Sequence, residues 1–356
     1  MSKKKVLLVI PYLGLGGAET MCENLAYELY AKNVDVEIVS FYTRETDITN
    51  RIKEKNIKIN YLDKKKGPDM FMLIRLSKLI KKLKPDVIHT HLYVLEYVLP
   101  AVKMSGLKNT KIVHTVHNVA EKEVPKRIQK IHRKNFKNGN VIPVAITELI
   151  QSSVCNLYKL DKKNVPVVYN GIDLDKCIEK KNYSGSNKIL HVGRFFEQKN
   201  HIFLIQIFDK LKSKYSDLEL YLVGEGKLKN NVIEYVKEHN IKNVKFLGSL
   251  PDSYSIMNKC DIFLLPSKWE GMPMTIIEAM GTGLPVVASN VGGIPNMIDN
   301  EINGFIANDL DDFVLVISKL IENLHLREKI GKNAIIKAKE FSSSNMAEKY
   351  IEIYNK

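Results

Sequence analysis

Two glutamates, Glu270 and Glu278, stand on either side of the stretch GMPMTII (271–277). Pro273 suits the first turn of a helix, where a missing N–H loses nothing. A helix is therefore predicted over about 273–280, ended by Gly281 and Gly283, with Glu270 in the preceding loop at a strand end and Glu278 on the helix behind it. The amides of Gly271, Met272 and Met274 then precede any intrahelical acceptor and point outward. A loop carboxylate can grip sugar hydroxyls, and a helix carboxylate can take a ribose diol through two hydrogen bonds. The bare amides and the helix terminus suit the phosphates between them. This is the chemistry that holds a nucleotide-sugar. The plainer alternative makes Glu270 a helix cap and Glu278 half of a surface pair, which fits poorly with the apolar neighbours Ile276, Ile277, Ala279 and Met280.

Two further loops could meet an anion. HVGRFFEQKN (191–200) places Arg194 and Lys199 between a strand and a helix, a forked cation and a point charge that together can clamp phosphate. PYLGLGGAET (11–20) follows the first strand and opens a helix with Gly16 and Gly17, where missing side chains allow a diphosphate to approach bare amides; a tight turn is the competing reading. It is not a dinucleotide fingerprint: Glu19 replaces the third glycine, and the second strand ends at Ser40 and Phe41 without an acidic residue. This argues against an NAD-dependent dehydrogenase. No Gly-Lys-Ser/Thr follows, so it is not a Walker loop.

These loops must be positioned by the elements around them. Short Val- and Ile-rich runs alternate with helical patterns, predicting strands near 5–10, 36–41, 57–62, 86–91, 111–116, 141–146 and 165–170, then near 188–193, 218–224, 244–248, 261–266 and 284–289. Continuous apolar strands separated by helices indicate parallel sheets covered on both faces. The set occurs twice in 356 residues, so the expected fold is α/β with two Rossmann-like, doubly wound domains facing across a cleft. The expected domains are residues 1–170 and 171–340, with the boundary in the polar stretch 170–187, and a terminal helix over 341–356 packing back on the N-terminal domain.

Charge is uneven. Residues 1–170 carry 30 Lys and Arg against 16 Asp and Glu, whereas residues 171–356 carry 24 of each. The N-terminal half is therefore expected to face something anionic. Its sharpest segment is 126–137, where Lys126, Lys130, Arg133, Lys134 and Lys137 recur at helical spacing. This stripe fits an anionic membrane surface or an anionic acceptor; a solvated face is the alternative. No aromatic residues interleave with it, so nucleic acid is not expected. No run approaches the length of a membrane span, and MSKKK at the start does not lead into a secretory h-region. Cys22, Cys155, Cys177 and Cys260 are scattered, as in reduced cytoplasmic proteins. A cytoplasmic protein associated peripherally with the inner membrane face is expected. Three other signals carry little weight: DLD at 173–175 and 309–311 as a metal site, His89, His91, His114 and His117 as a zinc site, and the lysine run 64–66 as more than a solvated loop. No metal and no cofactor are expected.

Across essentially its whole length the chain resembles the retaining, nucleotide-sugar-dependent glycosyltransferases of family 4, with the GT-B fold and most like those of capsule and exopolysaccharide synthesis. The resemblance rests on GLGGAE, VHTVHN, VYNGID, VGRFFEQKN, LVGEG, DIFLLPSKWEGMPMTIIEAMGTGLPVVAS and VGGIPNMI. It implies a hexosyltransferase that takes a hexose or N-acetylhexosamine from a UDP-sugar, or secondarily a GDP-sugar, to a lipid-linked or other saccharide acceptor, through a front-face route with no protein nucleophile. It further implies that Gly16, Gly17 and Gly224 lie near the donor, that Arg194 and Lys199 neutralise the leaving diphosphate, and that Glu270 holds the donor sugar. In the same scheme the amides at Gly271, Met272 and Met274 assist, Glu278 holds the ribose, and His117 lies near the anomeric carbon. Pro273 departs from the glycine of many members and removes one amide donor. A transferase with an acceptor outside polysaccharide assembly, a catalytically silent GT-B partner subunit and a sugar-nucleotide epimerase are the competing readings; the intact Arg194, Lys199, Glu270 and Glu278 weigh against a silent subunit.

Overall fold

The computed structural model describes residues 3–14, 16–65, 67, 69–183, 185, 187–250 and 253–356. Met1 and Ser2 of the opening MSKKK, Leu15 of the glycine-rich turn, Lys66 of the lysine run, and Ser184 and Ser186 of the predicted linker lie outside them.

The chain divides into two units, Met1–Gly171 with Ser343–Lys356, and Ile172–Ser342. In the first, the elements run β1 (Lys5–Ile10), α1 (Gly17–Ala31), β2 (Asp35–Ser40), α2 (Asp47–Glu54), β3 (Lys58–Tyr61), α3 (Met70–Leu83), β4 (Val87–His91), α4 (Leu95–Ser105), β5 (Lys111–Val116), α5 (Ala120–Glu123), α6 (Lys126–Lys137), β6 (Ile142–Ala145) and α7 (Glu148–Tyr158). In the second they run β7 (Lys188–Val192), α8 (His201–Lys212), β8 (Glu219–Val223), α9 (Lys229–Glu238), β9 (Val244–Gly248), α10 (Tyr254–Asn258), β10 (Ile262–Leu265), α11 (Met274–Gly281), β11 (Val286–Ser289), β12 (Phe305–Ala307), α12 (Leu310–Glu322) and α13 (Leu324–Ala338). The final helix, α14 (Ser343–Asn355), belongs to the first unit.

Both sheets are six-stranded and parallel. Their orders are β3-β2-β1-β4-β5-β6 and β12-β11-β10-β7-β8-β9. Each unit therefore starts at the middle of its sheet, builds outward to one edge and returns to build the other. The direction reverses between β1 and β4 in the first unit and between β7 and β10 in the second, and such reversals are where open α/β sheets take ligands.

Burial on both faces explains the near-continuous apolar strands. Along β1, Val6, Leu8 and Ile10 pack with Met21, Cys22, Leu25 and Leu29 of α1, while Leu7 and Val9 pack with Met72, Leu76 and Ile80 of α3. In the second unit, Ile189, Leu220, Leu222 and Leu264 share a core with Leu204, Phe208 and Leu211 of α8 and with Phe313, Ile317 and Leu320 of α12. Tyr350 and Tyr354 of α14 are fully buried against the first sheet, and the Tyr354 hydroxyl lies 2.7 Å from His89 Nδ1.

Three local expectations are corrected. Residues 165–170 form no strand: their run touches β6 through a single bridge, Ala145 to Val167, before the chain leaves the unit. The short β12 went unrecognised because three residues carry too little pattern to register. The α11 helix starts at Met274 and not at Pro273, which adopts extended ψ 113° as the residue before the helix. The second DLD opens α12 as its position in the sequence suggests, with the Asp309 carboxylate accepting from the Asp312 amide at 3.0 Å.

Candidate active site

The second unit gathers its candidate residues at the reversal between β7 and β10. Because these strands are neighbours, the loop after β7 lies beside the loop after β10. Their backbones and side chains interlock. Gln198 O accepts from the Lys268 amide at 2.8 Å, and Gln198 Nε2 donates to Trp269 O at 3.0 Å and to Glu270 Oε2 at 3.1 Å. The adjacent Lys199 Nζ donates to Glu270 Oε1 at 2.6 Å, where the Ser267 hydroxyl also donates at 2.8 Å. Both charged side chains are largely buried, at 14% and 6% exposure. Lys199 and Glu270 were read from separate motifs; the strand order makes them one ion pair. Gln198 and Ser267 were not anticipated, although Ser267 precedes Glu270 by three residues, a spacing at which a turn can bring side chains together.

Backbone contacts hold this arrangement. Gly224, just after β8, has φ +137°, and a Cβ there would come within 2.1 Å of Gly193 O. No other residue fits, so the loops after β7 and β8 touch through bare backbone. The Gly193 and Phe195 amides donate across to Val223 O at 2.9 Å and Glu225 O at 3.0 Å. Arg194 lies between these two anchored residues. Its guanidinium is exposed and sits 5.3 Å from the Phe196 ring, while buried Phe195 stacks on His201 at 4.0 Å below it. Behind Glu270, a Cβ on Gly292 would fall within 1.7 Å of Glu270 O, so the turn after β11 is pressed against the Glu270 backbone.

Gly271, Met272 and Pro273 lead from Glu270 into α11; Met272, Pro273 and Met274 are buried, and no side chain caps the helix. The Ile276 amide is the first to bond within the turn, to Pro273 O at 3.1 Å, so those of Met274 and Thr275 have no intrahelical acceptor. Glu278 is one helical turn further along, half-buried, and its Oε2 accepts from the Ser253 hydroxyl at 3.2 Å. Glu270 and Glu278 therefore occupy the loop and helix positions expected of them.

The first unit presents a second group of residues at its own reversal. Gly16 precedes α1 in extended backbone, and Gly17 is the first residue of that helix. His117 follows β5, and its Nε2 lies 3.2 Å from Nδ1 of His91 at the end of β4. Burial pushes His117 down to about 4, so the ring is neutral at neutral pH. The histidines once considered as zinc ligands are committed elsewhere: His89 Nε2 is 2.7 Å from the Thr115 hydroxyl, and His114 Nδ1 is 2.9 Å from the Thr90 hydroxyl. Among the described residues, no group of three or more His, Cys, Asp or Glu is placed to hold a metal ion.

The basic segment forms α6. Ile128, His132 and Phe136 are its buried face, at i, i+4 and i+8, while Lys126, Arg127, Lys130, Arg133, Lys134 and Lys137 are exposed. Among the described residues, no helix is long and apolar enough to cross a membrane.

Two parallel six-stranded units of one strand order are the architecture of GT-B enzymes. Residues 15–176 match the family described as Glycosyltransferase Family 4, and residues 176–337 match Glycosyl transferases group 1. UDP-Gal:alpha-D-GlcNAc-diphosphoundecaprenol alpha-1,3-galactosyltransferase of Escherichia coli is 31% identical over 297 residues, 75% of each chain. The capsular polysaccharide biosynthesis glycosyltransferase CapH of Staphylococcus aureus is 26% identical over 296 residues, 81% of each chain. Among solved structures, a glycosyltransferase from Rickettsia africae superposes with a TM-score of 0.83 at 22% identity, covering 99% of this chain and 98% of its own. The chain belongs to the family 4 glycosyltransferases of GT-B fold.

Proposed function

We propose that the protein is a retaining glycosyltransferase that moves a hexose or N-acetylhexosamine from a UDP-sugar to a membrane lipid-linked saccharide in capsule or exopolysaccharide synthesis. The observation that carries this reading is the Lys199–Glu270 pair beside exposed Arg194 and the uncapped start of α11. The uracil nucleotide and the lipid-linked acceptor draw on the E. coli relative, whose name specifies UDP-Gal and a GlcNAc-diphosphoundecaprenol. The polysaccharide setting draws on CapH.

In this scheme Glu270 accepts hydrogen bonds from the donor sugar hydroxyls and Glu278 from the ribose. The amides of Gly271, Met272 and Met274, with the backbone near Gly16, Gly17 and Gly224, approach the donor. The bond from the anomeric carbon to the phosphate oxygen breaks as the acceptor oxygen arrives on the same face, and the leaving diphosphate takes the acceptor proton. Arg194 and Lys199 stabilise the charge that builds on that diphosphate, a role worth roughly 3–4 kcal/mol for a well-aimed donor. His117, held neutral by burial, can donate to or accept from a sugar hydroxyl. The exposed cations of α6 hold the protein to anionic lipid at the cytoplasmic face of the membrane. No metal or cofactor is assigned a step.

The test is transfer of labelled sugar from UDP-galactose, UDP-glucose, UDP-N-acetylglucosamine or their GDP counterparts to a GlcNAc-diphosphate lipid. Label in the lipid fraction with α-configuration at the new bond supports the proposal. Nucleotide release with no glycosylated product from any pair sinks it.

A further inference from the structure

The turn that carries His117 is held from several sides by groups outside the donor scheme. Glu123, the last residue of α5, reaches back so that its Oε1 accepts from the His117 amide at 3.2 Å. The Ala120 amide donates to the Ser153 hydroxyl of α7 at 3.0 Å. Gln129 Nε2 of α6 donates to Val124 O at 3.1 Å and to Glu121 O at 3.3 Å. Of these supports only the Glu123 carboxylate can change charge near neutral pH, and it is the one that bonds the His117 backbone itself.

We propose that Glu123 is a positioning residue: its ionised carboxylate fixes the turn after β5 and thereby the placement of His117, so that sugar transfer depends on the ionisation of Glu123. The inference rests on the role proposed above for His117. An ionised acceptor makes a stronger bond to an amide than a protonated one, so protonation loosens the turn. Burial pushes the Glu123 carboxyl up to about 7, while hydrogen bonds from the His117 and Asn118 backbone pull the other way. The titratable groups that bear on it are few. Tyr158 of α7 is held neutral by burial and by Glu123 and Glu121, with Arg133 of α6 opposing. His132 of α6, whose ring lies 6.2 Å from that of Tyr158, and His117 are both neutral through burial. A titration near pH 7 in this region therefore belongs to Glu123 and not to a histidine.

The experiment follows the His117 and Asn118 amide resonances of the full-length protein from pH 6 to 8, in wild type and in Glu123→Gln, alongside turnover of UDP-galactose with a GlcNAc-diphosphate lipid. Gln keeps the shape and cannot ionise, and retention of the native amide spectrum elsewhere establishes that it folds. The expected result is a common inflection near pH 7 in the wild-type amides and in kcat, with kcat about tenfold below its plateau one unit under the midpoint, since a single protonation sets the active fraction. Glu123→Gln should flatten both profiles and lower kcat about tenfold, with the donor KM within twofold. Amides that do not titrate, or that titrate unchanged in Glu123→Gln, overturn the inference. Absence of turnover in the wild type counts against the donor and acceptor reading, and the amide titration then decides the Glu123 coupling by itself.

Discussion

Glu270 has two duties that pull in different directions. As a proposed ligand for sugar hydroxyls it must offer an oxygen, yet in the free protein Lys199 and Ser267 share Oε1 and Gln198 holds Oε2. The pair keeps the carboxylate aimed, and it also makes simple truncation ambiguous, because removing one partner strands the other charge in a buried site at a cost of about 3 kcal/mol. Glu270→Ala should abolish transfer and also lower Tm. Lys199→Ala combined with Glu270→Ala should restore part of the lost Tm without restoring transfer. A cycle with no coupling in Tm would show that the pair contributes nothing to folding, and near-normal turnover in a folded Glu270→Ala protein would remove Glu270 from the site. The individual residues were legible in the sequence because each sits in a loop after an apolar strand. Their pairing was not, since it depends on β7 and β10 being neighbours although they are about 70 residues apart. In the sequence Gly224 reads only as a neighbour of the donor and Gly292 only as part of a motif; the 2.1 Å and 1.7 Å approaches show which backbone each one packs against.

At the scale of elements, legibility followed burial. Strands covered on both faces read as unbroken apolar runs, and eleven of the twelve were placed within about two residues of their observed ends. VPVVYN (165–170) has the composition of a strand but only one bridging partner, so composition misled where pairing was missing. Pro273 was one position off because proline tolerates both the first helical residue and the one before it. The sequence marks the cations of α6 as one stripe, and they lie outside, away from a buried face of Ile128, His132 and Phe136. Since Lys130, Arg133, Lys134 and Lys137 lie away from that face, changing all four to Gln should leave the melting transition within a few degrees. The same change should release the protein from anionic vesicles, each cation supplying about 1 kcal/mol of attraction. Binding that keeps its full salt sensitivity would place the membrane face elsewhere.

For the whole molecule, buried histidines dominate the response to acid. His89, His91, His114, His117, His132, His191 and His201 are all held below the ordinary imidazole value, chiefly by burial. For each, the unfolded chain binds a proton as pH falls through about 6.5 while the folded form does not, so stability is lost on acidification in that window. Glu123, raised to about 7, acts in the opposite sense between its ordinary value and 7, binding its proton more tightly when folded. Seven groups outweigh one. Tm should fall by at least about 5 °C between pH 7 and pH 5.5, given roughly 2–4 °C per kcal/mol for units of this size. A Tm that is flat or rises across that interval would mean that these rings are accessible to protons in the folded state.

Ligand-linked stabilisation reports most directly whether the second unit holds a nucleoside diphosphate linked to a sugar, as proposed. Thermal unfolding should be followed with UDP, GDP, ADP, TDP and their sugars, with and without Mg²⁺, in wild type and in Glu278→Ala. Tm should rise clearly with UDP or a UDP-sugar, by the equivalent of about 2.7 kcal/mol at a hundredfold excess over Kd, and Glu278→Ala should abolish the rise. No shift with any nucleotide, or a UDP shift untouched by Glu278→Ala, would contradict the proposal.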